Sequence, residues 1–132
     1  MAKALKLPAI SDAEWDVMKV LWDQPGEWLA VAAIIEPVSR SRGIHHRTAR
    51  TLLARLVKKG AVETHVEGST YLYKARVSRE AVSRDESRSF LSRVFDGHAA
   101  PAIVHLLSES RAKLSPEELR KLRDLLEEKG NA

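Results

Sequence analysis

The densest run of side chains able to do chemistry lies between residues 46 and 59. It contains His46, Arg47, Arg50, Thr51, Arg55, Lys58 and Lys59. At about 100° per residue, Arg47, Arg50, Thr51, Arg55 and Lys58 share one side of a helix with the small Ala54. Ala49, Leu52, Leu53, Leu56 and Val57 share the other. A helix divided in this way is fixed to a body by its apolar side. It presents long donors, a short hydroxyl and a small residue to something outside. Those are the requirements for entering the major groove of double-stranded DNA. His46, Arg47, Arg50 and Thr51 occupy the first two turns, where such helices meet base edges. Arg47 or Arg50 offers guanine a bidentate fork, and the Thr51 methyl suits thymine. Arg55, Lys58 and Lys59 are better placed for phosphates. The competing reading is an arginine-rich surface helix with no partner.

The charge distribution supports a polyanionic partner. The net charge is only +4, yet the first 80 residues carry all of it and the remainder is neutral. No acidic residue stands between Pro37 and Val62, a window holding five arginines and two lysines. A one-signed field of this kind draws in phosphate backbones.

The flanking segments read as the frame for this helix. Ser11 caps a helix over Asp12–Trp22, with Glu14 completing a capping box, and Asp23-Gln24-Pro25-Gly26 stops it. Trp28-Leu29 suggests a short strand. A short helix follows through Ile35, bounded by Pro37, with a loop from Ser39 to Gly43. Gly60 closes the basic helix. From Ala61 to Val77 the period changes to two, with Glu67-Gly68-Ser69 as the turn of a β-hairpin. Tyr71 and Tyr73 share one face of that hairpin and are expected in the core. Ser69 at its tip can approach a DNA backbone closely, and His65 and Lys74 could reach phosphates. Helix–helix–helix–hairpin within about 80 residues is the order of a winged helix-turn-helix domain, here placed at residues 1–77.

Residues 78–132 read as a three-helix region. Phe90 and Val94 lie on its first helix, Ile103 and Leu106 in the apolar run Ala99–Leu107, and Leu119, Leu122, Leu125 and Leu126 on a helix opened by Ser115-Pro116-Glu117-Glu118. So small a unit buries little surface alone. A homodimer is expected, with Phe90, Val94, Ile103, Leu106, Leu119, Leu122 and Leu126 at its interface. The fold class is mainly α with a small β-hairpin.

Other chemistries find little support. The chain has no cysteine, so disulfides and thiolate sites are excluded. His45-His46 lacks a third ligand nearby, and no metal or cofactor is expected. No residues assemble a nucleophilic triad, so an enzyme is the least favoured class. No stretch approaches the roughly 20 apolar residues of a membrane span. Residues 1–10 lack the apolar segment of a leader. A cytoplasmic protein is expected.

At larger scale the sequence resembles a known family. Ile10-Ser11-Asp12-Ala13-Glu14-Trp15-Asp16-Val17-Met18, followed by Leu21-Trp22, is similar to the opening of penicillinase repressors of the BlaI/MecI/CopY type. The segment from Thr48 to Gly60 resembles that family's recognition helix, Tyr71-Leu72-Tyr73 its wing strand, and Phe95-Asp96-Gly97 its link to the last helices. The resemblance implies a winged helix, a C-terminal dimerisation region and repression at palindromic operators, with Arg47, Thr48, Arg50, Thr51 and Arg55 as DNA contacts. It suggests control of β-lactam resistance or stress genes. It also implies inactivation by a sensor-linked protease, the scissile pair falling at His105-Leu106. Two positions depart from the family. His45 stands where Ser or Thr often caps the recognition helix, so a DNA contact or another partner is expected to hold that turn. The absence of cysteine sets the chain apart from the copper-responsive branch. The alternatives are a ligand-responsive regulator of the MarR or ArsR type, which needs a small-molecule pocket, and a winged helix used only for protein contacts.

Overall fold

The computed structural model describes residues 7–131; the segment carrying Lys3 and Lys6 lies outside the described residues. The element order is α1 (Asp12–Trp22), β1 (Leu29–Ala30), α2 (Val31–Arg42), α3 (His46–Lys59), β2 (Val62–Glu67), β3 (Thr70–Ala75), α4 (Arg79–Phe95), α5 (Ala99–Glu109) and α6 (Pro116–Gly130). The three strands form an antiparallel sheet in the order β1-β3-β2. Leu29 pairs with Tyr73, and the hairpin register runs from Val62 opposite Ala75 to Glu67 opposite Thr70. Gly68 turns the hairpin at φ +65°, a conformation open to glycine at little cost. This is the winged-helix arrangement expected from the sequence pattern.

The chain divides into two compact units, one ending at Ser87 and the other starting at Arg88. The division falls inside α4 because Val82, in its first half, is buried in the core of the first unit. That core also takes Val17, Met18 and Leu21 from α1, Ile34, Ile35 and Val38 from α2, and Ala49, Leu52, Leu53 and Leu56 from α3, with Ala61 and Val62 closing it below. Each fully buried leucine or isoleucine here contributes roughly 1.5–3 kcal/mol by leaving water. The second unit consists of helices with little interior. Ala102 is its buried hydrophobic residue, while α6 buries none.

The α2 region differs from expectation. The helix does not stop at Pro37 but runs through it to Arg42, so Ser39–Arg42 is helical rather than a loop. Pro37 removes one backbone donor. Packing overrides this, because Ile34, Ile35 and Val38 fall on one buried face only if the helix continues. Gly43, at φ +65°, ends it instead.

Candidate nucleic-acid interface

Three devices hold α3 in place. Its inner face, Ala49, Leu52, Leu53 and Leu56, is buried. Its C-terminus closes on Gly60 at φ +85°, with the Gly60 N–H donating to the Leu56 and Val57 carbonyls and the Ala61 N–H to that of Leu56 at 3.0 Å. Its last residue is clamped from outside. The Lys59 Nζ donates to the Glu14 carboxylate at 2.5 Å and to the Ala9 carbonyl at 2.8 Å. Glu14 is only 2% exposed. Burial pushes its carboxyl up, but the hydrogen bonds from Lys59 and from the Ser11 backbone and hydroxyl outweigh this and hold it below the ordinary value. A buried carboxylate is tolerated here because all these donors meet it.

The N-terminus of α3 is capped by an imidazole. His45 Nδ1 accepts the Arg47 N–H at 3.0 Å. The side chain standing where the family often has Ser or Thr therefore makes the capping hydrogen bond itself. His46 Nε2 lies 4.0 Å from Glu36 Oε1, and Glu36 also faces Arg40 at 3.8 Å.

The outer face is open. Arg47, Thr48, Arg50, Thr51, Ala54, Arg55 and Lys58 are all exposed. Among the described residues, none of Arg47, Arg50, Arg55 and Lys58 has a carboxylate within 4.0 Å, whereas Arg42 is paired with Asp16 and Arg84 with Glu80. Thr51 Oγ1 donates back to the Arg47 carbonyl at 3.0 Å, which leaves its lone pairs free to accept. Four unpaired cations and two threonines thus lie on one helical face, above a buried leucine face. Ser69 is exposed at the hairpin tip.

Other residues take different places from those expected. Lys59 leaves the set of free cations, since its ammonium is engaged by Glu14 and Ala9. Tyr73 packs against the core as expected, but Tyr71 does not and is 57% exposed. Its ring lines a groove beside Arg50. Lys74 pairs with Glu63 at 3.4 Å and sits 4.6 Å above the Trp28 ring, beside His65. In the second unit Val94, Ile103, Leu106, Leu119, Leu122 and Leu126 are exposed, as are Val104, Leu107 and Leu125, while Phe90 is half-buried with its ring edge against Phe95. His105 and Leu106 lie within α5.

The model of the family described as penicillinase repressor matches residues 10–128. The chain belongs to that family. It is a DNA-binding transcriptional repressor and not an enzyme. The penicillinase repressor of Bacillus licheniformis is 34% identical over 126 residues, covering 96% of this chain and 95% of that protein. The methicillin resistance regulatory protein MecI of Staphylococcus aureus (strain N315) is 28% identical over 120 residues, covering 91% of this chain and 94% of that one. Among solved structures, the B. licheniformis BlaI monomeric form in complex with the blaP half-operator is 36% identical and matches with a TM-score of 0.49, covering 57% of this chain and 89% of that one. No helix among the described residues of this repressor is long and apolar enough to cross a membrane.

Proposed function

We propose that the protein is a cytoplasmic homodimeric repressor whose two α3 helices enter successive major grooves of a two-fold symmetric operator. The observation that carries this reading is the face of α3 described above, with its four unpaired cations exposed over a buried leucine face. His46, Arg47, Thr48, Arg50 and Thr51 stand at the end that reads bases. Arg55, Lys58 and the wing-tip Ser69 hold the backbone. The second unit supplies the dimer contact through Val94, Ile103, Leu106, Leu119, Leu122 and Leu126, with Phe90 at its edge. Relief of repression by a sensor-linked protease at His105-Leu106 extends the reading. Because that pair lies inside α5, cleavage there requires the helix to open first.

The test begins with selection of bound duplexes from random DNA using the full-length protein. A palindromic consensus is the expected result, and enrichment of no sequence would defeat the reading. Arg50→Ala is then expected to weaken binding to the selected duplex by roughly 1–3 kcal/mol and binding to a scrambled duplex far less. Lys58→Ala is expected to weaken both equally and to lower the salt slope by about one unit. If Arg50→Ala weakens both duplexes alike, Arg50 is a phosphate contact and α3 does not read bases through it.

A further inference from the structure

A cavity of about 410 Å³ opens between α3 and the sheet, inside the first unit. Its walls are unlike the rest of the α3 surface. Val31, Leu53, Ala54 and Val57 contribute aliphatic groups to the lining, Tyr71 and Tyr73 contribute aromatic side chains, and Thr64 and Arg50 complete it. The volume falls within the roughly 300–1,000 Å³ of small-molecule sites, and the lining has their usual make-up: mostly apolar, with a few polar groups at fixed positions.

Two observations define what fits. The Arg50 guanidinium has no carboxylate partner among the described residues; Glu36, in the adjoining hollow, is shared between Arg40 and His46. Its planar fork therefore lacks the bidentate acid it is shaped to hold. Tyr71 leaves more than half of its surface open, although the strand pattern turns it to the same side as the packed Tyr73. A mostly apolar slot with an open aromatic residue and a single cation in its lining is complementary to a body that is apolar and carries one carboxylate. DNA meets only half of that description, because a base edge satisfies Arg50 and leaves the aliphatic wall wet.

We propose that this groove binds an amphiphilic monocarboxylic acid, with its apolar body between α3 and the tyrosines and its carboxylate on Arg50. Binding itself is independent of the operator reading. Its consequence rests on that reading: an Arg50 held by the acid is withdrawn from the DNA, so the ligand acts as an inducer that competes for one side chain.

The experiment uses isotopically labelled full-length protein titrated with 3-phenylpropionate, 3-phenylpropionamide and propionate. The acid is expected to give saturable chemical-shift changes at Leu53, Val57 and Tyr71, with a dissociation constant of about 1 mM or below. The amide and propionate are each expected to bind about tenfold more weakly, since one lacks the charge and the other the apolar body. Arg50→Gln and Tyr71→Ala should each lose about the same factor with the thermal midpoint unchanged, because both side chains are exposed. Absence of saturation, equal binding of acid and amide, or shifts confined to α5 and α6 would each overturn the proposal. A selected duplex then completes the test. If the acid raises its apparent dissociation constant in proportion to site occupancy, both readings stand. If the acid saturates the groove and DNA binding is unaffected, the site stands and the placement of Arg50 on the operator is lost.

Discussion

Ser11–Glu14 and Ser115–Glu118 are the same capping box, one in each unit, and both reciprocal hydrogen bonds form in each. The Ser11 N–H meets Glu14 at 2.9 Å, and the Ser115 N–H meets Glu118 at 2.8 Å. Beyond those bonds the two differ. Glu14 is buried under Lys59 and starts a helix whose Val17, Met18 and Leu21 disappear into a core. Glu118 is open to water and starts a helix that buries nothing. Local sequence therefore decides where each helix begins, whereas closure of a core decides whether the beginning contributes to stability. The first unit supplies its own closure. The leucine stripe of the second leaves its apolar surface to water within a single chain, which is why the proposal assigns it to a second copy.

The largest effect expected from this contrast follows removal of the second unit's helices. Deleting residues 96–132 should leave a folded monomer, and affinity for a two-site operator should fall by roughly 10²–10⁴ as the half-sites lose their linkage. Sedimentation and duplex titration check this; a dimer that survives the deletion ends the assignment of the interface.

Next in size is a pair of leucine truncations. Leu56→Ala, at a fully buried position of α3, should lower the unfolding free energy by about 2–5 kcal/mol in urea. Leu126→Ala, on the exposed stripe of α6, should leave that transition in place and instead raise the concentration at which the protein self-associates. Equal urea shifts for the two would show that both units have closed cores.

A smaller effect separates the two glutamates by pH. Glu14 has a depressed carboxyl, so its contribution is present above its ordinary value of 4.5 and disappears as pH falls through the lower folded value. Glu14→Gln keeps an acceptor for the Ser11 N–H and loses only the charge facing Lys59. It should destabilise by about 1–2 kcal/mol at neutral pH, the partly exposed lysine tempering the cost. Wild type and variant should converge as the solution is acidified below pH 4.5. Parallel thermal midpoints across that range would remove the clamp from the account. The smallest effect belongs to Glu118→Gln, whose carboxyl is held low by the Ser115 backbone and hydroxyl but is fully exposed. No resolvable change in midpoint is expected there.

The sequence disclosed whatever depends on neighbours along the chain. Both capping boxes, the two-faced α3, the Gly60 stop and the hairpin turn at Gly68 follow from residue type and spacing. The misreadings involve contacts that spacing does not encode. Pro37 looked like a stop because its own chemistry breaks helices, yet Ile34, Ile35 and Val38 hold α2 together across it. Lys59 looked like a phosphate donor because it ends a basic run, while its partner Glu14 lies far up the chain on another helix. Tyr71 and Tyr73 share a strand face, but alternation does not tell how far α3 extends over that face. The core covers Tyr73 and stops short of Tyr71. That uncovered ring is what opens the groove beside Arg50.

The imidazole at the head of α3 has a consequence in proton chemistry. Since His45 Nδ1 accepts the Arg47 N–H, the neutral ring must carry its hydrogen on Nε2, an assignment made from the backbone donor rather than from an observed proton. The peptide chain thereby selects one tautomer of a side chain that in water samples both. Ring nitrogen chemical shifts should report Nε2-protonated imidazole at His45, whereas a mixed value there would show that the cap is not formed in solution.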